Sequence, residues 1–260
     1  MKEKGAMKDF IVGDMEGTVL FLDIKNFLGI SEILTPRETY LFIKKVMDPL
    51  ALCVSSFSGH ICQVQGDAIM AVFGHDSQNS EHAHNAVKCA LKMMRELEAL
   101  NPVLINQFKV PLSARIGLCT GPLYACFFDM NGNTEYTVMG KTVNIASRLQ
   151  KINKKYETNI LIDESVFGYI KRNIVTRRLD MIDIDGCSEL LRIYEVLYMP
   201  EGYDRGIILR KERYEQGLEY YFQGKWDEAI RCFLQVSEDR ASYLMIEKCR
   251  QNQADLPDGG

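Results

Sequence analysis

With 260 residues, 47% of them hydrophobic, the chain can bury a substantial core and has room for one large domain or one domain with an appendage. A formal net charge of -4 leaves no broad cationic surface for a nucleic-acid backbone, so no nucleic-acid partner is expected. No run of about 18 apolar residues is present and no apolar signal core follows MKEKGAMKDF, so no membrane contact is evident; a cytoplasmic chain is expected, or the cytosolic part of a larger or membrane-anchored protein.

Taken in order, TVLFLDI is a strand that ends badly for a core: Asp23 follows Val19, Leu20, Phe21 and Leu22, and a charge there needs compensation. TPRETYLFIKKVMDPLALCVSSF is a helix with Thr35 as cap, Pro36 at its first position and apolar residues at three-to-four spacing. HICQVQGDAIMAVFG reads as two short strands around a tight Gln65-Gly66-Asp67 turn, a hairpin with an acid at its tip. SEHAHNAVKCALKMMRELEAL is a capped amphipathic helix, LSARIGLCTGPLYACFF a strand pair, and TVNIASRLQKINKKY a further helix. NILIDESVFGYI gives a strand leading into a helix, and LLRIYEVLYM closes with a strand. Two β-α-β-like halves with antiparallel hairpins make an α+β sandwich, helices on a mixed sheet.

Near residues 200 to 206 the texture changes, and from about 208 the chain is helical and holds its only tryptophan, Trp226. Gly217, Tyr220, Gly224, Ala229 and Phe233 sit at the offsets of a tetratricopeptide-like helix pair, although the early tryptophan of that repeat is missing. A single repeat cannot bury its apolar face alone, so residues 206 to 254 must dock on the preceding domain, on another chain or on a further repeat; they either brace the domain or bind a protein partner. The eight cysteines, at 53, 62, 89, 119, 126, 187, 232 and 249, include no C-x-x-C pair and are read as buried reduced thiols. His82 and His84 point to different faces of their helix and make a poor metal site.

Asp23 at a strand end and Asp67 at a hairpin tip can meet beside one sheet, where two carboxylates repel unless a cation lies between them. Hard oxygen ligands with few histidines nearby favour magnesium or manganese, which would complete its shell with substrate phosphate and water. At this point a resemblance enters. TVLFLDIKNF, SGHICQVQGDAIMAVFG, ARIGLCTGP, EYTVMGKTVNIASRLQ and DGCSELLRIYEVL resemble, in order and spacing, the motifs of class III nucleotidyl cyclase catalytic domains, over residues 16 to 200.

The resemblance implies a ferredoxin-like class III cyclase sandwich, with a mainly antiparallel sheet, and a homodimer with two composite active sites. It implies that Asp23, Asp67 and the carbonyl of Ile24 hold two divalent ions, Mg2+ or Mn2+, per site. It further implies that Asn144 orients the ribose and that Arg148, four residues on, stabilises the transition state as ATP becomes cyclic AMP and pyrophosphate. The alternative is a degenerate cyclase-like domain that acts as a regulatory module; the presence of Asp23, Asp67 and Arg148 favours the enzyme.

This sequence departs from the family pattern in several places. The lysine that reads adenine is Gln63, and its usual partner position is Thr137; both can donate or accept, so adenine is favoured but selectivity over guanine is relaxed. Asp185 in IDGCSE replaces a lysine that reaches the terminal phosphates, a change that would weaken triphosphate binding if the carboxylate points inward. Lys141, where many relatives carry an acid, could compensate but is read first as a surface residue, and Cys119, where many have histidine, as a packing change.

Overall fold

In the computed structural model, which describes residues 10–76, 81–109, 111–130, 133–184, 189–197 and 205–254, the chain first runs β1 (Gly13–Ile24), α1 (Phe27–Ile33), α2 (Pro36–Ser56), β2 (Gly59–Gln65) and β3 (Ala68–Phe73). It continues through α3 (His82–Phe108), β4 (Ala114–Met130), β5 (Asn133–Met139), α4 (Lys141–Tyr156), β6 (Ile160–Asp163), α5 (Glu164–Ile170), β7 (Thr176–Ile182) and β8 (Leu191–Val196). Three helices close it: α6 (Arg205–Phe222), α7 (Trp226–Leu234) and α8 (Arg240–Ala254). The strands form one sheet in the order β2-β3-β1-β4-β6-β8-β7, with β5 paired to β4; the β4–β6 pair is parallel and the others are antiparallel. This is the α+β sandwich expected from the motifs.

Strand alternation sends residues to two cores. Leu20 and Leu22 of β1 join α2, α3 and α5 on one face, whereas Val19 joins α4 and the C-terminal helices on the other. Helix α2 starts where its sequence signals lie: Glu38 N–H donates to Thr35 Oγ1 (3.3 Å), Thr35 N–H donates to Glu38 Oε2 (2.9 Å), and Pro36 occupies the first turn. Helix α4 lies directly on β4 because Gly117 has no side chain; a Cβ there would stand 2.2 Å from Gln150 N and 2.3 Å from Ala146 O. Buried Asn153 fastens the same helix, with Nδ2 donating to Ile116 O (2.9 Å) and Oδ1 accepting from Thr158 Oγ1 (2.8 Å). Among the described residues no helix is long and apolar enough to cross a membrane.

The structure corrects one expected element: residues 114–130 form one continuous strand rather than a pair. Gly121 and Pro122 do not turn, because Gly17 and Glu16 of β1 pair with them while residues further along pair with β5. Strands β5 and β7 and the short α1 were not anticipated. The seven described cysteines are free thiols, six of them buried.

The C-terminal helices settle on the domain itself. Tyr214 of α6, fully buried, donates its hydroxyl to Leu179 O of β7 (2.7 Å), and Arg178 N–H donates to Glu215 Oε1 (2.8 Å). Tyr156 at the end of α4 and Lys248 of α8 both donate to Asp180. Arg177 lies between Glu195, at 2.6 Å, and Asp239, with its guanidinium over the Tyr214 ring. Within the tail, α6 and α7 approach closely at Gly217, where a Cβ would fall 2.7 Å from the Phe233 ring. Most of the boundary expected at 200 to 206 lies outside the described residues.

Candidate active site

Asp23 is the penultimate residue of β1, and in the antiparallel register its neighbour across on β4 is Arg115. On the other side of β1 the β2–β3 hairpin turns through Gly66, whose φ of 60° suits glycine. The register Leu22↔Ile69 brings that turn level with the end of β1, and Ile24 N–H donates to Asp67 Oδ2 (3.3 Å). Immediately after, Asn26 takes the left-handed conformation (φ 56°) that turns the chain into α1. Both carboxylates therefore stand at one end of the sheet.

Their electrostatics are those of an incomplete site. Asp23 Oδ1 is buried and has no hydrogen-bond partner among the described residues; Arg115 Nη1 is an ion-pair neighbour at 3.8 Å, too far to bond. Gln150, reaching down from α4, draws the Asp23 pKa downward, yet its Nε2 is also buried without a partner, as is Arg115 Nε. Burial raises the Asp23 carboxyl above its ordinary range, Arg115 and Gln150 pull against it, and Asp67 pushes it further up. Burial raises Asp67 too, against the N–H groups of its own backbone and of Ile24. Two desolvated carboxylates with an open acceptor fit a hard divalent cation, and Ile24, buried at the end of β1 between them, is the residue whose backbone carbonyl is the candidate third donor.

Asn144 and Arg148 stand one turn apart on α4, the first exposed and the second half-buried. Gln63 is exposed on β2 and, with Thr134, Glu135 and Tyr136 of β5, lines a cleft of about 540 Å³; Thr137, the next residue on β5, is half-buried outside that lining. His60 in the same cleft is kept neutral, its pKa lowered to about 4 by burial and by His75. Lys141 opens α4 at the surface, Cys119 is buried in the core, and Asp185 lies outside the described residues. Sequence reasoning missed Arg115 and Gln150 as neighbours of Asp23. The signal for Arg115 was a cation within ARIGLCTGP that an antiparallel register could set across from the acid; Gln150 had none, because its role depends on how closely α4 approaches β4.

Residues 14–197 match the family described as the adenylate and guanylate cyclase catalytic domain, and the chain belongs to that family. Adenylate cyclase 1 of Rhizobium meliloti is 33% identical over 182 residues, which cover 70% of this chain and 27% of that protein; this chain thus spans well under half of that relative. The crystal structure of the adenylyl cyclase CyaB from P. aeruginosa superimposes with a TM-score of 0.65 at 25% identity, covering 74% of this chain and all of the other. The guanylate cyclase domain of RhGC from Catenaria anguillulae, in complex with GTP, gives a TM-score of 0.62 at 26% identity over 71% of this chain and 98% of that one.

Proposed function

We propose that the chain is an adenylate cyclase, acting in the cytoplasm as a homodimer with two composite sites. The observation that carries this reading is the open, buried oxygen of Asp23 beside Asp67, which ordinary folding would have closed with a hydrogen bond. Two magnesium or manganese ions held by Asp23, Asp67 and the Ile24 carbonyl would supply Lewis acidity to the ribose 3′-hydroxyl and the triphosphate.

The chain's own groups do the remainder. Ile24 N–H and the backbone N–H of Asp67 itself hold the Asp67 carboxylate in place at the turn. Arg115 stabilises the ionised form of Asp23. Asn144 orients the ribose of ATP, and Arg148 meets charge developing on the α-phosphoryl oxygens as the 3′-oxygen bonds to phosphorus and the bond to the pyrophosphate oxygen breaks. The Gln63 amide and the Thr137 hydroxyl read the base; each can donate or accept, which favours ATP while tolerating GTP. The tail keeps tetratricopeptide-like spacing, and Leu209, Leu234 and Tyr243 stay exposed on it, which is compatible with a protein partner for these helices.

Purified chain with manganese and either ATP or GTP should yield cyclic AMP and pyrophosphate from ATP, with slower turnover of GTP. Asp67→Ala and Arg148→Ala chains, each nearly inactive, should regain activity when mixed, approaching roughly a quarter of wild type if subunits exchange at random. No cyclic nucleotide from either substrate would sink the enzyme reading. Activity without recovery on mixing, after exchange is demonstrated with tagged chains, would sink the composite site alone.

A further inference from the structure

Arg177 and Arg178 are adjacent on β7 and project to opposite sides, and their surroundings could hardly differ more. Arg177 is buried, and although burial opposes its charge, Glu195 and Asp239 outweigh that and hold it firmly protonated. Arg178 is half-buried and no carboxylate among the described residues pairs with its guanidinium. Its contacts are a weak thioether acceptor, Met181 Sδ at 3.8 Å from Nη2, and the Phe222 ring at 4.7 Å, while Nε is buried with no partner. Glu215, which shares the cleft with Arg178, is already engaged by the Arg178 backbone N–H and by Lys211 Nζ at 2.6 Å.

Arg178 faces a cleft of about 560 Å³ between the domain and α6. Lys171 and Arg172, exposed on the turn after α5, line it from the domain side; Lys211, Glu215 and Glu219 line it from α6. Four cations thus face two acids, and one acid is spent on Lys211. Half-buried guanidinium is rarely left without a carboxylate or an oxyanion, and arginine with lysine at close quarters is the donor set that phosphate oxygens match. We propose that this seam binds a small phosphate-bearing anion, at a site separate from the nucleotide site, which bridges β7 to α6 and tightens the tail onto the domain.

The test is titration calorimetry on the full chain, without metal or nucleotide, using inorganic phosphate and then pyrophosphate. Both should bind, and Arg178→Gln or Arg172→Gln should each weaken binding about tenfold. Arg172 is exposed, so its variant keeps the fold; Arg178→Lys should recover part of the loss. Binding should persist in Arg148→Ala, and acetate at equal ionic strength should bind more weakly than phosphate. No heat up to concentrations on the order of 10 mM would overturn the proposal. So would binding that survives both glutamine variants, binding that disappears in Arg148→Ala, or acetate binding as tightly as phosphate.

Discussion

The end of the sheet that holds Asp23 and Asp67 and the seam that holds Asp180 and Arg177 are both rich in charge and both partly buried, but they are finished to different degrees. Asp180, whose side chain is 1% exposed, receives Tyr156, Lys248 and the Met181 N–H, and Arg177 is enclosed by two carboxylates and a ring. Among the described residues Asp23 has a buried oxygen without a hydrogen-bond partner, and two donors likewise without one, Arg115 Nε and Gln150 Nε2, are among its neighbours. A closed network contributes to holding tail and domain together, and on the proposed function the open one is the ligand site. Burial is common to both regions; what differs is that the acceptors of Asp180 are filled while Asp23 Oδ1 has no partner among the described residues, the difference on which the proposed metal site rests.

The sharpest way to break this contrast is to neutralise one acid in each region. Asp67→Asn should cut cyclase turnover by about 100-fold or more while leaving thermal stability intact or improved. Asp180→Asn should cost about 2 to 4 kcal/mol of stability, since it removes the charge that pairs with Lys248 and leaves one oxygen for the three donors Tyr156, Lys248 and Met181 N–H, and should spare turnover at low temperature. Melting and turnover measured side by side on both variants check this, and a shared loss of stability would erase the distinction.

Within the tail, Gly217→Ala drives a methyl into the Phe233 ring and should destabilise the α6–α7 contact by about 1 to 3 kcal/mol, detected as earlier protease cleavage in residues 205 to 254. The smallest effect is one of pH. Burial raises the Asp67 pKa above its ordinary value of 3.8, so the native state binds more protons than the unfolded chain as pH rises from there. That contribution is fully favourable below pH 3.8 and is lost as pH rises through the raised native value. Asp67→Asn should therefore gain stability over wild type at pH 7 and lose that advantage toward pH 4, in urea melts without divalent ions; adding manganese should raise the wild-type melting temperature and not the variant's.

Much of this was legible in the chain. A strand that ended on Asp23 and a glycine-bearing turn at Asp67 placed both acids at element ends, and Thr35 with Pro36 announced the start of α2 from local chemistry alone. What stayed hidden depended on partners distant in sequence. Residues 114–130 looked like two strands because Gly121-Pro122 ordinarily breaks one, and only the pairing with Gly17 and Glu16 keeps the chain extended there. β7, with Arg177, Arg178 and Asp180, does not alternate like a half-buried strand, since Arg177 is met by Glu195 of β8 and by Asp239 just before α8, and Asp180 by Lys248 of α8. The tail's seat was likewise open among three choices until Tyr214 met Leu179 O.

Strand β7 is the last in the sheet, and α6 lies against it with Glu215 occupying the Arg178 N–H. Stripped of those helices, β7 would present a row of free amide and carbonyl groups, a template on which another chain could add a strand. The tail thus acts as a guard against intermolecular sheet growth, and a chain cut at the end of β8 would be expected to precipitate on folding even though every residue proposed for catalysis is retained.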